Sequence, residues 1–207
     1  PRGWERMYPN YVGSEAVLAS ENLIFGQHAC DEEGRNAMLH PFIRNTVGCM
    51  EFGGCVLNKR LRKDNASGTI RRISDTFELA TLVFFQNPIQ MLAVTPGNLT
   101  DAPKVCLDYI RTVPTTWDET VYIDGYPGKY TVMARRHGDS WYIAAANATE
   151  EAIKLNLSLP MLSKGDKVKF YYDDAKTGEP HMEEIIIKDN AKVPLTIASN
   201  CAAIYVK

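Results

Sequence analysis

Apolar residues recur along this chain with two different periods, and the change falls near residue 114. From Thr116 onward the period is two. The clearest run, "AIKLNLSLP", sets Ile153, Leu155, Leu157 and Leu159 against Lys154, Asn156 and Ser158, the pattern of a strand with one face in a core and one in water. Shorter runs of the same kind occur at Thr120 to Asp124, Lys129 to Arg136, Ser140 to Ala146, Val168 to Tyr172, Glu183 to Lys188, Lys192 to Ile197 and Ala202 to Val206. Turn-forming residues separate them at Gly125-Tyr126-Pro127-Gly128, Gly138-Asp139, Lys176-Thr177-Gly178 and Asp189-Asn190. Strands at this spacing predict an antiparallel sandwich or open barrel.

Before residue 114 the pattern is helical. "SDTFELATLVFFQ", Ser74 to Gln86, starts with Asp75 as N-cap and Glu78 three residues on, is apolar nearly all round, and stops at Asn87-Pro88. It predicts a helix that is buried on several sides. A weaker helix is expected over Asp101 to Val113, with Val105, Tyr109 and Val113 on one face and Pro114 at its end. Another is centred on Pro41-Phe42-Ile43-Arg44-Asn45, between Ala29 and Gly48, and Cys49-Met50-Glu51-Phe52, closed by Gly53-Gly54, reads as a brief strand. An all-apolar helix normally packs against a sheet and neighbouring helices. The expectation is that this cover lies upstream, so that the strand-and-helix order closes a (β/α)8 barrel and a β cap follows. The predicted fold class is therefore α/β plus all-β: residues 1–114 form the last part of a (β/α)8 barrel, and 115–207 form a small antiparallel β-sandwich-like domain. Barrel chemistry sits at the C-terminal ends of the strands.

Composition removes several function classes. With 207 residues, 45% hydrophobic and 23% charged, the chain can bury a core, and disorder is not expected. A formal charge of −2, and one basic cluster from Lys59 to Lys63 with Arg71 and Arg72, give no field for a phosphate backbone, so nucleic acid is disfavoured as a partner. The five cysteines are scattered, with no CxxC pair, and read as mostly buried thiols in neither a zinc site nor a disulfide framework. No run of about 18 apolar residues predicts a membrane span, and no leader pattern is present. Pro1-Arg2-Gly3-Trp4 lacks an initiator Met and reads as the interior of a longer protein. The four Asn-x-Ser/Thr sequons, at Asn65, Asn98, Asn147 and Asn156, carry meaning only in a secreted eukaryotic chain.

The candidate chemistry is a pair of glutamates six apart, Glu15 and Glu21, in "YPNYVGSEAVLASEN". On a helix six residues turn about 600°, which leaves the carboxylates about 240° apart, whereas a strand would put both on one face and a loop could fold them together. The pair is expected to converge on an irregular or extended segment. A solvated turn is the competing reading.

The strings "GWERMYPN", "SEAVLASEN", "HPFIRNTVGCMEFGG", "TTWDETVYIDGYPGKYTVMARR" and "WYIAAANAT" together resemble the C-terminal part of glycoside hydrolase family 97, the calcium-dependent bacterial α-glucosidases and α-galactosidases. The resemblance runs over essentially the whole chain. It implies an exo-acting α-glycosidase with an N-terminal β-sandwich, a (β/α)8 barrel and a C-terminal β domain. It also implies that Glu21 is the general acid, that Ca2+ is held by Glu15 and Glu21, and that the enzyme is periplasmic or associated with the bacterial outer membrane. The substrate would be an oligosaccharide or other α-glycoside. The second catalytic carboxylate lies upstream in the family, so these residues alone should hydrolyse nothing. Where the family commonly has Met-Asp-Tyr this chain has Met50-Glu51-Phe52, and Glu51 receives no catalytic role.

Other residues fit plainer readings. His28 and His40 are taken as loop or core histidines, and one residue of each pair, Trp141-Tyr142 and Tyr171-Tyr172, is expected to point into the core. Asp173, Asp174, Glu183 and Glu184 are expected at turns or on outward strand faces in water. The alternative function is a non-catalytic carbohydrate-binding or interaction module in which the β domain is the working part.

Overall fold

All eight strands anticipated after Thr116 form in the computed structural model, which describes residues 26–43, 45–46, 48–49, 53–54, 57, 69–88, 90–94 and 96–207. They are β3 (Glu119–Tyr126), β4 (Tyr130–His137), β5 (Ser140–Asn147), β6 (Ile153–Leu157), β7 (Lys167–Asp173), β8 (Pro180–Ile186), β9 (Val193–Ile197) and β10 (Cys201–Val206). Six of them make an antiparallel sheet in the order β3-β4-β5-β10-β7-β8, and β6 pairs with β9 as a separate two-stranded layer. The residues after 115 therefore form a small antiparallel β domain. Its central strands, β5 and β10, carry "IAAA" and "AAIY" with no polar alternation, because both of their faces are covered.

The two faces have different partners. Val132, Ala134, Ile143, Ala145, Ala203 and Tyr205 point at the two-stranded layer and pack with Leu157, Leu195 and Ile197. On the other face Met133, Tyr142, Ala144, Ala146, Tyr171, Ala202 and Ile204 share one core with Phe77, Leu79, Phe84, Cys106 and Tyr109. Those last residues belong to α3 (Asp75–Phe84) and α5 (Lys104–Ile110), which follow α1 (Gln27–Ala37) and α2 (His40–Ile43), with α4 (Asn98–Asp101) between them. All ten residues of α3 are buried, as its apolar circumference requires. Much of its cover comes from the chain's own sheet, however, and not from upstream. The alanines of β5 and β10 let the helix lie close to the sheet.

Two helix boundaries differ from expectation, each for a local reason. Ser74 caps α3 instead of Asp75: its Oγ accepts from the Phe77 N–H at 3.0 Å, leaving Asp75 inside the first turn. The expected helix over 101–113 is two pieces, since Pro103 lacks an N–H and drives Ala102 to an extended φ of −77° and ψ of 151°, so α4 ends at Asp101 and α5 begins at Lys104. Upstream, β1 (Gly53–Gly54) and β2 (Met91–Leu92) run parallel, Gly53 opposite Met91. The described strand thus lies on the two glycines expected to end it, and residues 50–52 lie outside the described residues. A parallel pair with α3 in its crossover is a βαβ unit.

Candidate functional site

Glu15, Glu21 and Glu51, with the Tyr8-Pro9-Asn10 stretch, lie outside the described residues. What the described residues do assemble is a polar joint between α3 and the sheet. Ser74 donates from Oγ to Asp173 Oδ2 at 2.6 Å, and its N–H donates to the Asn200 carbonyl at 2.8 Å. Asp173, the last residue of β7, also accepts from the Ala202 N–H at 3.1 Å and the Thr76 N–H at 3.3 Å. One carboxylate therefore ties the start of α3 to β7 and β10. Burial pushes the Asp173 carboxyl above its ordinary range, and the hydrogen bonds from Ser74, Thr76 and Ala202 oppose that only in part. The expectation that Asp173 stands in water is thus corrected. Asp174 does occupy a turn, accepting from the Lys176 and Thr177 N–H groups, and Glu183 and Glu184 are exposed.

A second charge cluster lies beside the joint. Arg71, almost fully buried, pairs with Asp75 and approaches Glu78 Oε1 at 3.6 Å, both acids being buried in the first turns of α3. Burial alone would lower the Arg71 pKa, but Glu78 and Asp75 more than offset it and raise it above the usual value. At the far end of α3, buried Arg135 of β4 donates to the Phe84 carbonyl at 3.1 Å and lies 5.9 Å from the Trp117 ring. Burial pulls its pKa down to about 10, so it remains a cation at neutral pH. Acids at the N-terminal end and a guanidinium at the C-terminal end both suit the helix dipole. None of these three roles was visible in the sequence, because the partners are 51 to 99 residues apart or the burial that gives them weight is tertiary.

The remaining candidates resolve into packing. His40 stands edge-on to Phe85 with centroids 5.5 Å apart, and His28 is exposed. Tyr171 packs edge-on against Tyr109 at 5.0 Å, and Tyr142 packs against Trp117 at 5.4 Å while donating to the Thr112 carbonyl. Both tyrosines are core residues, as expected. Asn147, one of the sequon asparagines, is wholly buried and holds the carbonyls of Glu151, Ile197 and Ala198. Burial lifts the Cys30 thiol to about 11 and raises that of Cys106, while Cys49 and Cys201 are half-buried. Among the described residues there is no group of three or more His, Cys, Asp or Glu able to hold a metal ion, and no helix is long and apolar enough to cross a membrane.

Comparison with known proteins identifies the small antiparallel β domain. Residues 116–204 match the model of the glycosyl-hydrolase 97 C-terminal domain, which is described as an oligomerisation domain. The chain belongs to glycoside hydrolase family 97 and carries its C-terminal domain. It is 33% identical over 147 residues to a retaining alpha-galactosidase of Bacteroides thetaiotaomicron, an alignment covering 69% of this chain and 22% of that protein. The crystal structure of a beta-arabinopyranosidase is 60% identical, with a TM-score of 0.88 over 100% of this chain and 33% of that one. A family 97 enzyme from Pseudoalteromonas sp. strain K8, solved with acarbose, shares the fold at a TM-score of 0.71 and 21% identity over 87% of this chain and 30% of that one. The chain spans no more than a third of the length of any of these three relatives.

Proposed function

We propose that this chain is the C-terminal part of an exo-acting retaining glycosidase, with residues 1–114 closing a (β/α)8 barrel and 115–207 forming a structural β domain. The observation that carries the reading is the Glu15/Glu21 pair after Tyr8-Pro9-Asn10, in a chain 60% identical over its whole length to a beta-arabinopyranosidase. The parallel β1–α3–β2 unit supports the barrel, since such units are the repeating element of that fold. For the substrate we favour a terminal sugar with an axial 4-hydroxyl. β-L-arabinopyranose has the ring configuration of α-D-galactopyranose without its hydroxymethyl group, so one pocket geometry accounts for both a galactosidase and an arabinopyranosidase among the relatives.

In this reading Glu21 gives its proton to the departing glycosidic oxygen and later withdraws one from water, while a carboxylate outside this chain attacks the anomeric carbon from the opposite side, about 5–5.5 Å away. Glu21 must therefore start each turnover protonated, which needs burial or a neighbouring negative charge. Glu15, kept ionised, would be the protein's carboxylate ligand to calcium, which when bound supplies positive charge beside the sugar. A periplasmic or outer-membrane-associated location goes with this reading.

The test uses the full-length protein. Aryl β-L-arabinopyranoside should be turned over with the highest kcat/KM, aryl α-D-galactopyranoside next and α-D-glucopyranoside least. Glu21→Gln should lose roughly 10² to 10⁴ in kcat on natural glycosides but much less on substrates with good leaving groups. Glu15→Gln should recover in part with millimolar calcium. Equal losses for Glu21→Gln on both substrate types remove its assignment as the acid. A preference for glucosides removes the axial 4-hydroxyl reading.

A further inference from the structure

We infer that Gln27 and Asp31 of α1 are positioning residues for the acid Glu21, because they bracket the start of α1 to the connection that leads from β1 into α3; the inference rests on the glycosidase reading. Gly26, the N-cap of α1, has no side chain to accept from the first turn, and that turn holds no acid, so the helix start is not fixed by a cap of its own. It is fixed by a contact 43 residues away in sequence. The Gln27 amide meets both backbone groups of Ile70, Nε2 donating to the carbonyl at 3.0 Å and Oε1 accepting from the N–H at 3.0 Å, as a neighbouring strand would. Nε2 also donates to Asp31 Oδ1 at 2.8 Å, and the same oxygen accepts from Arg72 Nε at 2.7 Å. Gln27, Asp31, Arg72 and Ile70 thus close a ring. Further along the helix, Gly34 lets α1 lie against the same stretch, since an added Cβ would stand 3.1 Å from Ile73 Cγ2.

The place of the ring in the chain gives it a role. Residues 69–74 are the last leg of the connection from β1 to α3, and Gln27 stands six residues after Glu21. In the proposed barrel the stretch bearing Glu15 and Glu21 is the connection that ends at α1, and both connections belong to the face where barrel chemistry sits. The ring therefore staples two successive connections of that face to each other. On its other side the same leg is tied to the sheet, through Ser74 and Asp173 of β7. For stability the ring counts for little, because the Asp31 and Arg72 side chains are 45% and 52% exposed and water screens such a pair. For catalysis a small constraint counts for more, since a misplacement of about 1 Å costs up to roughly 10²-fold in rate.

The full-length enzyme tests this on the two substrate types already used for Glu21. Gln27→Ala and Asp31→Ala should each lose about 10- to 100-fold in kcat on natural glycosides and much less on aryl glycosides with good leaving groups, with the far-UV spectrum unchanged. Their KM should stay within about threefold of the parent, as for an interaction that matters in the transition state. Asp31→Asn keeps Oδ1 as an acceptor for both Gln27 and Arg72 and should retain most of the rate. In a Glu21→Gln background Gln27→Ala should cost nothing further, because the group it positions no longer gives a proton. Glu32→Gln, which breaks only the exposed pair with Arg35 on the same helix, should leave kcat at the parent value. Equal losses for Gln27→Ala on both substrate types, or a further full loss in the Glu21→Gln background, would overturn the proposal by showing that the ring acts on the fold and not through the acid. Glu21→Gln behaving as an acid variant beside an unimpaired Gln27→Ala overturns this proposal alone, whereas equal losses for Glu21→Gln itself remove the acid assignment and this proposal with it.

Discussion

Asp173 gathers three donors, from Ser74, Thr76 and Ala202, onto one half-buried carboxylate. Asn in its place keeps the shape but turns one acceptor into a donor, so Asp173→Asn should cost about 1–3 kcal/mol. The pH dependence follows from the direction of its shift. Its carboxyl is raised in the folded protein from an ordinary 3.8, so the folded state holds the proton more tightly than the unfolded one. Its stabilising contribution is complete below 3.8 and is lost as pH rises through the folded value. The gap in urea midpoint between parent and Asp173→Asn should therefore be widest near pH 3.5 and narrow toward pH 7. A gap that widens with pH would contradict the assignment. The sequence offered no route to this residue, since "YYDDAKTG" reads as the end of a strand and a turn, and the helix it anchors begins 99 residues earlier. The cap was more legible: Ser74 and Asp75 are both good N-cap residues, and only the geometry of the Phe77 N–H chooses between them.

At the scale of elements, strands were easy to read where one face is wet and harder where both are dry. The run "IKLNL" declares its period, whereas "IAAANA" is recognisable mainly from the turns on either side. Turn clusters located the hairpins, and at Gly138-Asp139 the tip itself, between His137 of β4 and Ser140 of β5, but the first turn is displaced. Gly125 was read as part of the turn, yet β3 continues through it to Tyr126, and the turn falls at 127–129. Gly125 has φ 154°, and an added Cβ would stand 2.8 Å from the Tyr130 carbonyl oxygen and 2.9 Å from the Tyr122 hydroxyl. Gly138 also needs a positive φ, 57°, but a Cβ there meets nothing within 4 Å. Alanine at Gly138 should therefore cost only the left-handed backbone penalty, about 1–2 kcal/mol. Alanine at Gly125 should cost more, because the β3–β4 ladder must also part to admit it. Thermal unfolding of the two variants side by side checks this, and equal losses would show that the ladder gives way without strain.

The boundary read near Pro114 marks where the period of the sequence changes, and the core runs straight across it. Phe77, Leu79 and Phe84 from one side of that boundary and Met133, Ala144, Tyr171 and Ile204 from the other lie in a single buried cluster. Periodicity could not show this, because it reports which face of an element is apolar and not what will lie against it. For the same reason the sequence pointed α3 toward a sheet upstream when the sheet lay downstream. The proposal of a glycosidase rests on the family resemblance, since two glutamates six apart settle nothing by themselves. The shared core has a mechanical consequence: α3 cannot open without exposing the inner face of the β domain, so the two should lose structure together. Phe77→Ala removes a fully buried ring and should cost about 3–5 kcal/mol. In native-state hydrogen exchange, the slowest amides of β5 and β10 should then lose protection by the same factor as those of α3, roughly 10² to 10⁴, although no atom of β5 or β10 has been changed. Loss confined to α3, with β5 and β10 as protected as in the parent, would show instead that the β domain folds independently and that the helix is merely docked on it.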